Sequence, residues 1–387
     1  MNTQIVRMGS RTLPSDATLM QRALELAHRG LGLAHPNPHV GAIVVRGHQK
    51  VGEGFHEYDQ REHAEIVALK QAGGQARGAT MYVTLEPCST TGRTGPCTQA
   101  MIAAGIARVV ASMRDPNPAV AGRGFAELRR AGIDVYVGLG EERAKRLNED
   151  FAKWVRTSVP FVTLKTALTL DGQIAVRAGQ ATAITGEAAR QAVHRLRHCA
   201  DALLTGIGTI LTDDPLLTDR SGRPRRRRLL RVVLDSHLRI PLGSQIVKTA
   251  ERDVLVFTAQ PGDARKAKAL GRRGLEILHV AAPGGRMDLR AVLRELGKRE
   301  ILHVLLEAGA ELNGAALQAD LVDKVALFYA PKIMGTGGVP MAEIPAARWL
   351  SRAPALTHLA VTPCRPDFLV EGYFHDVYRN HRGRRKS

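Results

Sequence analysis

The sequence predicts two α/β domains in series, and three observations carry that prediction. Its 387 residues exceed what one hydrophobic core usually organises. Helix-type and strand-type apolar patterns alternate through both halves of the chain. Between them a helical stretch from Glu141 runs into a linker ending at Pro160, and a fresh series starts at Phe161. The expected boundaries are a flexible lead-in at 1–15, a first domain at 16–157, a second at 158–378 and a basic tail at 379–387.

In the first half, Asp16 to Gly30 reads as an amphipathic helix, with Leu19, Met20, Ala23, Leu26 and Ala27 on one face. Asp16 is the expected N-cap and Gly30 the stop. Val40–Val45 reads as a buried strand, Ala64–Ala72 as a helix, Met81–Leu85 as a strand, and Pro96–Ala104 as a helix with proline in its first turn. Strands at Val109–Met113 and Val135–Leu139 flank a helix at Phe125–Ala131. Such β-α repetition predicts a sheet covered by helices. In the second half, strands are expected at Phe161–Leu168, Ala202–Thr205, Leu230–Asp235, Val254–Thr258, Leu275–Val280, Ile301–Glu307 and Lys324–Tyr329. Helices fit Gly186–Cys199, Met287–Gly297 and Gly314–Ala319.

Composition excludes several classes. With 44% hydrophobic and 24% charged residues the chain is not of disordered type. No uncharged apolar run approaches the roughly 18 residues of a membrane helix, so no membrane partner is expected. Met1–Ser15 carries Arg7 and Arg11 with no apolar stretch behind them, unlike a secretory signal. The four cysteines, Cys88, Cys97, Cys199 and Cys364, make a poor disulfide framework and hint at a metal site, which implies a reducing, cytoplasmic setting.

Charge is uneven. Residues 1–150 hold 18 Lys and Arg against 15 Asp and Glu, a net +3, so +15 of the chain's +18 lies beyond them. The densest pieces are Arg225–Arg228 and the tail Arg382 to Lys386. Neither has aromatic residues interleaved for base stacking, so both read as solvated surface. The rival reading is an RNA base deaminase whose basic second domain grips phosphates.

Three pieces of the first half carry chemistry: His63-Ala64-Glu65, Pro87-Cys88 and Cys97. One imidazole and two thiolates supply three zinc ligands and leave the fourth tetrahedral position for water, as in a catalytic rather than a structural site. Zinc lowers the pKa of bound water toward about 7 and so generates hydroxide at neutral pH. Glu65, two residues past a ligand, is placed to shuttle the proton. This order of residues is the signature of zinc nucleobase deaminases. The eight residues between Cys88 and Cys97 exceed the commonest spacing, but a loop containing Gly92 and Gly95 can still return the chain.

Together with His35-Pro-Asn37-Pro-His-Val-Gly41, Thr84-Leu-Glu-Pro-Cys88-Ser, Gly92-Arg93-Thr94 and Asp115-Pro-Asn117-Pro, these residues resemble the bifunctional deaminase–reductase family of riboflavin biosynthesis, from about residue 16 to 370. That resemblance implies a cytidine-deaminase-like α/β/α domain followed by a dihydrofolate-reductase-like α/β domain, with Zn2+ and NADPH as cofactors. The expected partner is a phosphorylated pyrimidine in a homo-oligomeric enzyme. It implies that Asn37 contacts the pyrimidine edge, although locally Asn37 is equally well read as a turn residue between prolines. Thr90 stands where members usually carry histidine, and Gly95 where many carry proline.

The second half resembles the same family through Lys165-Thr-Ala167-Leu-Thr-Leu-Asp171-Gly172, Asp213-Asp-Pro215-Leu-Leu217-Thr-Asp-Arg220, Asp235-Ser236 and Glu307-Ala-Gly309-Ala-Glu-Leu-Asn-Gly314. Gly206-Ile-Gly208 is too short a fragment for a Rossmann motif. The resemblance places Ala167, Ala183, Thr209, Asp213, Ser236 and the run Gly309, Ala310, Glu311, Leu312, Asn313, Gly314 and Ala315 at NADPH-contacting positions. It places Ala181, Arg197, Leu217, Arg220 and Glu307 at substrate-contacting ones. The Gly309–Gly314 stretch, opening a helix, offers backbone N–H groups to a pyrophosphate. Arg197 and Arg220 could grip a sugar phosphate. Lys165, near a strand end, is the candidate catalytic group, or else a strand lysine paired with a structural carboxylate. Thr169 and Gln173 depart from the family's usual serine and basic residue.

Overall fold

A computed structural model describes residues 15–180, 182–260, 262–345 and 353–379. The expected lead-in before Ser15 and the basic tail from Asn380 lie outside the described residues. Two compact units divide at Asn148/Glu149, nine residues before the boundary expected from sequence.

The first unit is a five-stranded sheet in the order β2-β1-β3-β4-β5. Its strands are β1 (Gly41–Arg46), β2 (Gln49–Phe55), β3 (Thr80–Val83), β4 (Arg108–Ala111) and β5 (Asp134–Val137). β1 runs antiparallel to β2 and β3, whereas β3, β4 and β5 are parallel. The helices are α1 (Asp16–Arg29), α2 (Ala64–Ala72), α3 (Cys97–Ala103), α4 (Arg123–Arg130) and α5 (Glu141–Leu147). Ser15, not Asp16, caps α1: its hydroxyl accepts from Thr18 N. Asp16 instead turns to Arg108 and the Tyr82 hydroxyl. Pro96 is the N-cap of α3 rather than part of its first turn.

β2 was not predicted, and its sequence explains why. Gln49-Lys-Val-Gly-Glu-Gly-Phe lacks an apolar alternation, and its glycines serve packing instead. A Cβ on Gly52 would sit 2.1 Å from Ala68 O, and one on Gly54 2.7 Å from Ala64 O. Only bare backbone lets α2 lie flush on this strand, which sets the depth of His63 and Glu65 at its N-terminus.

The second unit opens with α6 (Glu149–Thr157). Its Lys153 pairs with Asp323 at 2.5 Å and Trp154 Nε1 donates to Gly297 O. These ties place the helix in the second unit, where sequence had assigned it to the first. A nine-stranded sheet follows, in the order β11-β10-β9-β8-β12-β6-β13-β16-β15. Those strands are β6 (Phe161–Thr169), β8 (Ala202–Gly206), β9 (Leu230–Leu234), β10 (Val254–Thr258), β11 (Leu275–His279), β12 (His303–Leu306), β13 (Lys324–Ala330), β15 (Thr357–Cys364) and β16 (Asp367–Tyr373). A short β7 (Gln173–Ala175) pairs separately with β14 (Val339–Pro340). From β11 to β13 the strands are parallel, and β16 and β15 close the edge antiparallel.

Successive residues of the parallel strands feed opposite faces. Leu203, Val233, Val256 and Leu305 join one buried cluster, while Leu204, Val232, Leu255 and Leu306 join the other. Burial on both faces is why these strands read as continuous apolar runs. The covering helices are α7 (Glu187–Cys199), α8 (Ile207–Asp213), α9 (Gln245–Lys248), α10 (Ala264–Arg272), α11 (Leu289–Lys298) and α12 (Ala310–Gln318). α12 begins four residues before the start expected at Gly314, with Gly309 as its N-cap.

Candidate functional site

In the first unit, His63 is the N-cap of α2, Cys97 is the first residue of α3, and Cys88 follows the end of β3. Chain order and sheet topology thus bring three distant ligands together. His63 Nδ1 lies 3.2 Å from Cys97 Sγ and 3.4 Å from Cys88 Sγ, and all three ligand atoms lie within 4.8 Å of one another. A tetrahedral zinc with bonds of about 2.0–2.3 Å spaces its ligands by roughly 3.4–3.8 Å, so the donor set and its size fit that ion. The hydrogen bonds Cys88 receives from Cys97 and His63 hold its thiol well below the usual thiol range. The same contact with Cys88 raises His63. Glu65, in the first turn of α2, is 4% exposed and reaches Cys97. Burial pushes its carboxyl up, the direction a proton shuttle needs.

Sequence reasoning missed His56. Its Nδ1 lies 2.8 Å from Glu62 O, and because a carbonyl only accepts, that nitrogen carries the proton. Nε2 therefore accepts from Asn37 Nδ2, at 3.0 Å. Burial holds the ring low, at about 4, so it stays neutral. The bond fixes which end of the Asn37 amide faces the histidine. Asn148 clamps the same loop from behind, with Oδ1 accepting from His39 N at 2.7 Å and Nδ2 donating to His39 O at 3.1 Å.

Glu86, in the Thr84–Ser89 stretch, organises the rear of the site. Its buried carboxylate accepts from the backbone N–H groups of Asp115, Gly122, Gly124 and Phe125. One side chain thus joins the Pro87-Cys88 turn, the Asp115-Pro-Asn117 turn and the N-terminus of α4. In the loop between the cysteines, Arg93 lies over the Tyr58 ring at 4.1 Å and donates to Tyr58 O at 3.2 Å.

The second unit holds a cavity of about 490 Å³, within the range of ligand pockets. Lys165, Ala167, Thr209, Asp213, Leu217 and Glu307 all line it. Gly309, Ala310, Glu311 and Leu312 form another wall at the start of α12, where first-turn N–H groups have no partner inside the helix. A Cβ on Gly208 or Gly309 would meet nothing within 4 Å. Bare main chain therefore faces open space, as a dinucleotide pyrophosphate requires.

Several expected positions stand elsewhere. The Asn313 N–H bonds Gly309 O, its Nδ2 donates to Ala308 O and Met341 O, and the residue is fully buried. Gly314 packs against the backbone of Glu343, where a Cβ would lie 2.2 Å from Glu343 O. With α12 starting early, Asn313, Gly314 and Ala315 sit inside the helix, off the cavity wall. Ser236, in the turn after β9, accepts at its carbonyl from Ala259 N and Gln260 N. Ala183 and Arg220 are exposed, and Ala181 lies outside the described residues.

Arg197 is no open phosphate clamp. Nε and Nη2 donate to the two Glu307 oxygens at 2.8 and 2.9 Å, and Nη1 donates to Thr218 O. Lys165 Nζ approaches Glu307 from the other side at 3.4 Å. Burial alone would raise the Glu307 carboxyl, but Lys165 and Arg197 hold it down, at about 2.

A thiolate-and-imidazole metal site with a buried carboxylate, in a helix-covered sheet, defines a zinc-dependent deaminase unit, and it is followed by a nucleotide-cavity α/β unit. Residues 13–113 match the cytidine and deoxycytidylate deaminase zinc-binding region, and residues 160–369 match the RibD C-terminal domain. The chain is 41% identical over 363 residues to the riboflavin biosynthesis protein RibD of Escherichia coli, covering 91% of this chain and 97% of that one. To RibD of Aquifex aeolicus it is 42% identical over 322 residues, covering 83% and 88%. The solved RibD of Acinetobacter baumannii superposes with a TM-score of 0.83 at 38% identity, over 92% of this chain and 98% of that one. A deaminase/reductase structure from Thermotoga maritima gives 0.77 at 36%, with the same coverage. The chain belongs to the RibD family of bifunctional deaminase–reductases, whose cofactors are zinc and NADPH.

Proposed function

We propose that this chain carries out two consecutive steps of riboflavin biosynthesis. The first is hydrolytic deamination of 2,5-diamino-6-(5-phosphoribosylamino)pyrimidin-4(3H)-one. The second is NADPH-dependent reduction of the ribosyl group of the uracil product to ribityl. The observation that carries this reading is the presence on one chain of a three-ligand metal cluster with a buried carboxylate and of a separate cavity floored by Lys165 and Glu307.

In the first unit, His63, Cys88 and Cys97 hold zinc, which supplies the Lewis acidity that makes water a nucleophile at neutral pH. Glu65 takes the two protons of the attacking water in turn and delivers one to the adjacent ring nitrogen and one to the amino nitrogen. The C–O bond forms, the C–N bond breaks, and ammonia leaves. Asn37, its amide held by His56, orients the ring edge.

In the second unit, the N–H groups of Ala310–Leu312 and the walls at Ala167, Thr209 and Asp213 hold NADPH, which supplies the hydride. Lys165 provides a proton as the ribose ring opens, and Glu307 keeps its ammonium in place. Arg220, exposed at the end of its loop, takes the phosphate that Arg197 cannot. Metal-ligating thiols need a reducing compartment, which supports a cytoplasmic setting. A homo-oligomer is part of this reading, to be checked by light scattering.

The RNA reading is not favoured. Arg227 and Arg228 pair with Glu300 and Glu251, and Arg225 is committed to main-chain carbonyls.

Incubating the purified chain with the diaminopyrimidine phosphate, with and without NADPH, tests both steps. Ammonia release in either case and NADPH oxidation only after deamination are expected. Absence of both overturns the reading.

A further inference from the structure

Arg225 opens a run that reads as solvated surface, but the structure uses it differently from its neighbours. Its guanidinium donates through Nη1 to Arg197 O (3.1 Å) and Asp219 Oδ2 (3.2 Å), through Nη2 to Ala200 O (2.7 Å), and through Nε to Arg227 O (2.7 Å). Its side chain is 15% exposed, against 63% for Arg228. Two of these acceptors are carbonyls at the C-terminal end of α7, where a cation is doubly favoured. Asp219 also takes His198 Nδ1 at 3.1 Å, and both are buried.

The loop these bonds hold is the one that walls the cavity. Leu217 faces the cavity, 4% exposed, in a left-handed backbone conformation with φ +54°. For a branched side chain that conformation costs of order 1 kcal/mol and persists only where neighbours impose it. Three arginines impose it. Arg231 Nη1 holds Leu216 O at 3.0 Å, Arg197 Nη1 holds Thr218 O at 3.2 Å, and Arg225 holds Asp219. Arg231 is itself anchored to Asp253. Beside the His198–Asp219 contact, Arg225 grips both the loop, at Asp219, and the C-terminal carbonyls of the helix that aims Arg197 at Glu307.

We propose that Arg225 is a positioning residue for the reduction, fixing Leu217–Arg220 and the Arg197–Glu307 pair relative to the substrate. The proposal rests on the reading that this loop contacts the phosphorylated uracil. Lysine cannot replace the planar fork, because one ammonium has too few donors in the right directions for four acceptors.

The test is steady-state NADPH oxidation by the full chain with the deaminated substrate, alongside ammonia release as an internal control. Arg225→Ala is expected to raise the substrate KM roughly tenfold, the loss of one to two charge-assisted hydrogen bonds. NADPH affinity and ammonia release stay unchanged. Arg225→Lys falls between, and Arg228→Ala behaves as wild type. Asp219→Asn keeps the shape but weakens the grip, so it shows the same pattern at smaller size and serves if Arg225→Ala does not fold. Wild-type substrate KM in Arg225→Ala or Asp219→Asn overturns the proposal, as does a parallel loss of NADPH affinity. Arg220→Ala separates the two ideas. If it raises the substrate KM while Arg225→Ala does not, only the positioning role fails. If Arg220→Ala changes nothing, the loop assignment itself is wrong and the role falls with it.

Discussion

The two sites are assembled on different principles. In the first unit the reactive residues lie between positions 63 and 97, at the starts of two helices and in the loop after β3, and a metal's coordination rules dictate their types. In the second unit the cavity wall runs from Lys165 to Glu343, and it combines bare main chain, apolar side chains such as Ile174 and Leu312, and the buried Lys165–Glu307 pair. Metal chemistry demands particular atoms, so it leaves a motif. A nucleotide cavity demands a shape and a field, which many sequences can supply.

This contrast predicts that damage stays within its own unit. Glu65→Gln should cut ammonia release by about 10³-fold, with zinc content by atomic absorption unchanged. NADPH oxidation with supplied uracil substrate should persist, and its loss would break the separation.

Next in size is Glu307→Gln. Removing the charge between Lys165 and Arg197 leaves two half-buried cations uncompensated, which costs about 3 kcal/mol or more. Urea unfolding followed by NADPH oxidation should shift to lower denaturant, while ammonia release follows the wild-type curve. The carboxyl is depressed in the fold, so its contribution is present above its unfolded pKa of about 4.3 and is lost as pH falls toward about 2. Wild-type stability should therefore drop between about pH 4 and 2, and the variant's should drop less.

Glu86→Ala sharpens the comparison from the other side. It strips four backbone N–H groups of their acceptor, a cost of roughly 2 kcal/mol. Unfolding monitored by ammonia release should move, and unfolding monitored by NADPH oxidation should not. The smallest effect belongs to Arg228→Ala, whose partner Glu251 is as exposed as itself. Thermal melting should change by less than about 0.5 kcal/mol.

Much of this was legible in the sequence, and the exceptions are instructive. The helix at Ala64–Ala72 and the strand at Val254–Thr258 match their expected limits, because local periodicity and burial agree there. β2 was invisible because its glycines and charges are selected by a neighbouring helix and by pairing with β1. β15 was invisible because it is an exposed edge strand. Arg231, fully buried on β9, reads in sequence as an interruption of an apolar run. His56 carried no motif, since a histidine that holds an asparagine side chain looks like any other.

By itself the sequence determined the two-part α/β architecture and the family, and it singled out His63, Cys88 and Cys97, with Glu65, as the candidate metal site. Those follow from local patterning and from atoms that coordination chemistry cannot exchange. Tertiary structure decided how members of a run are placed: Arg225 is bonded to main-chain carbonyls while Arg228 is exposed, and Gly309–Leu312 line the cavity while Asn313–Ala315 lie inside α12. It also decided that Arg197 is paired with the Glu307 carboxylate. Such choices depend on where a helix starts and which carbonyls lie within 3 Å of a guanidinium, and they are set by contacts between segments far apart in the chain.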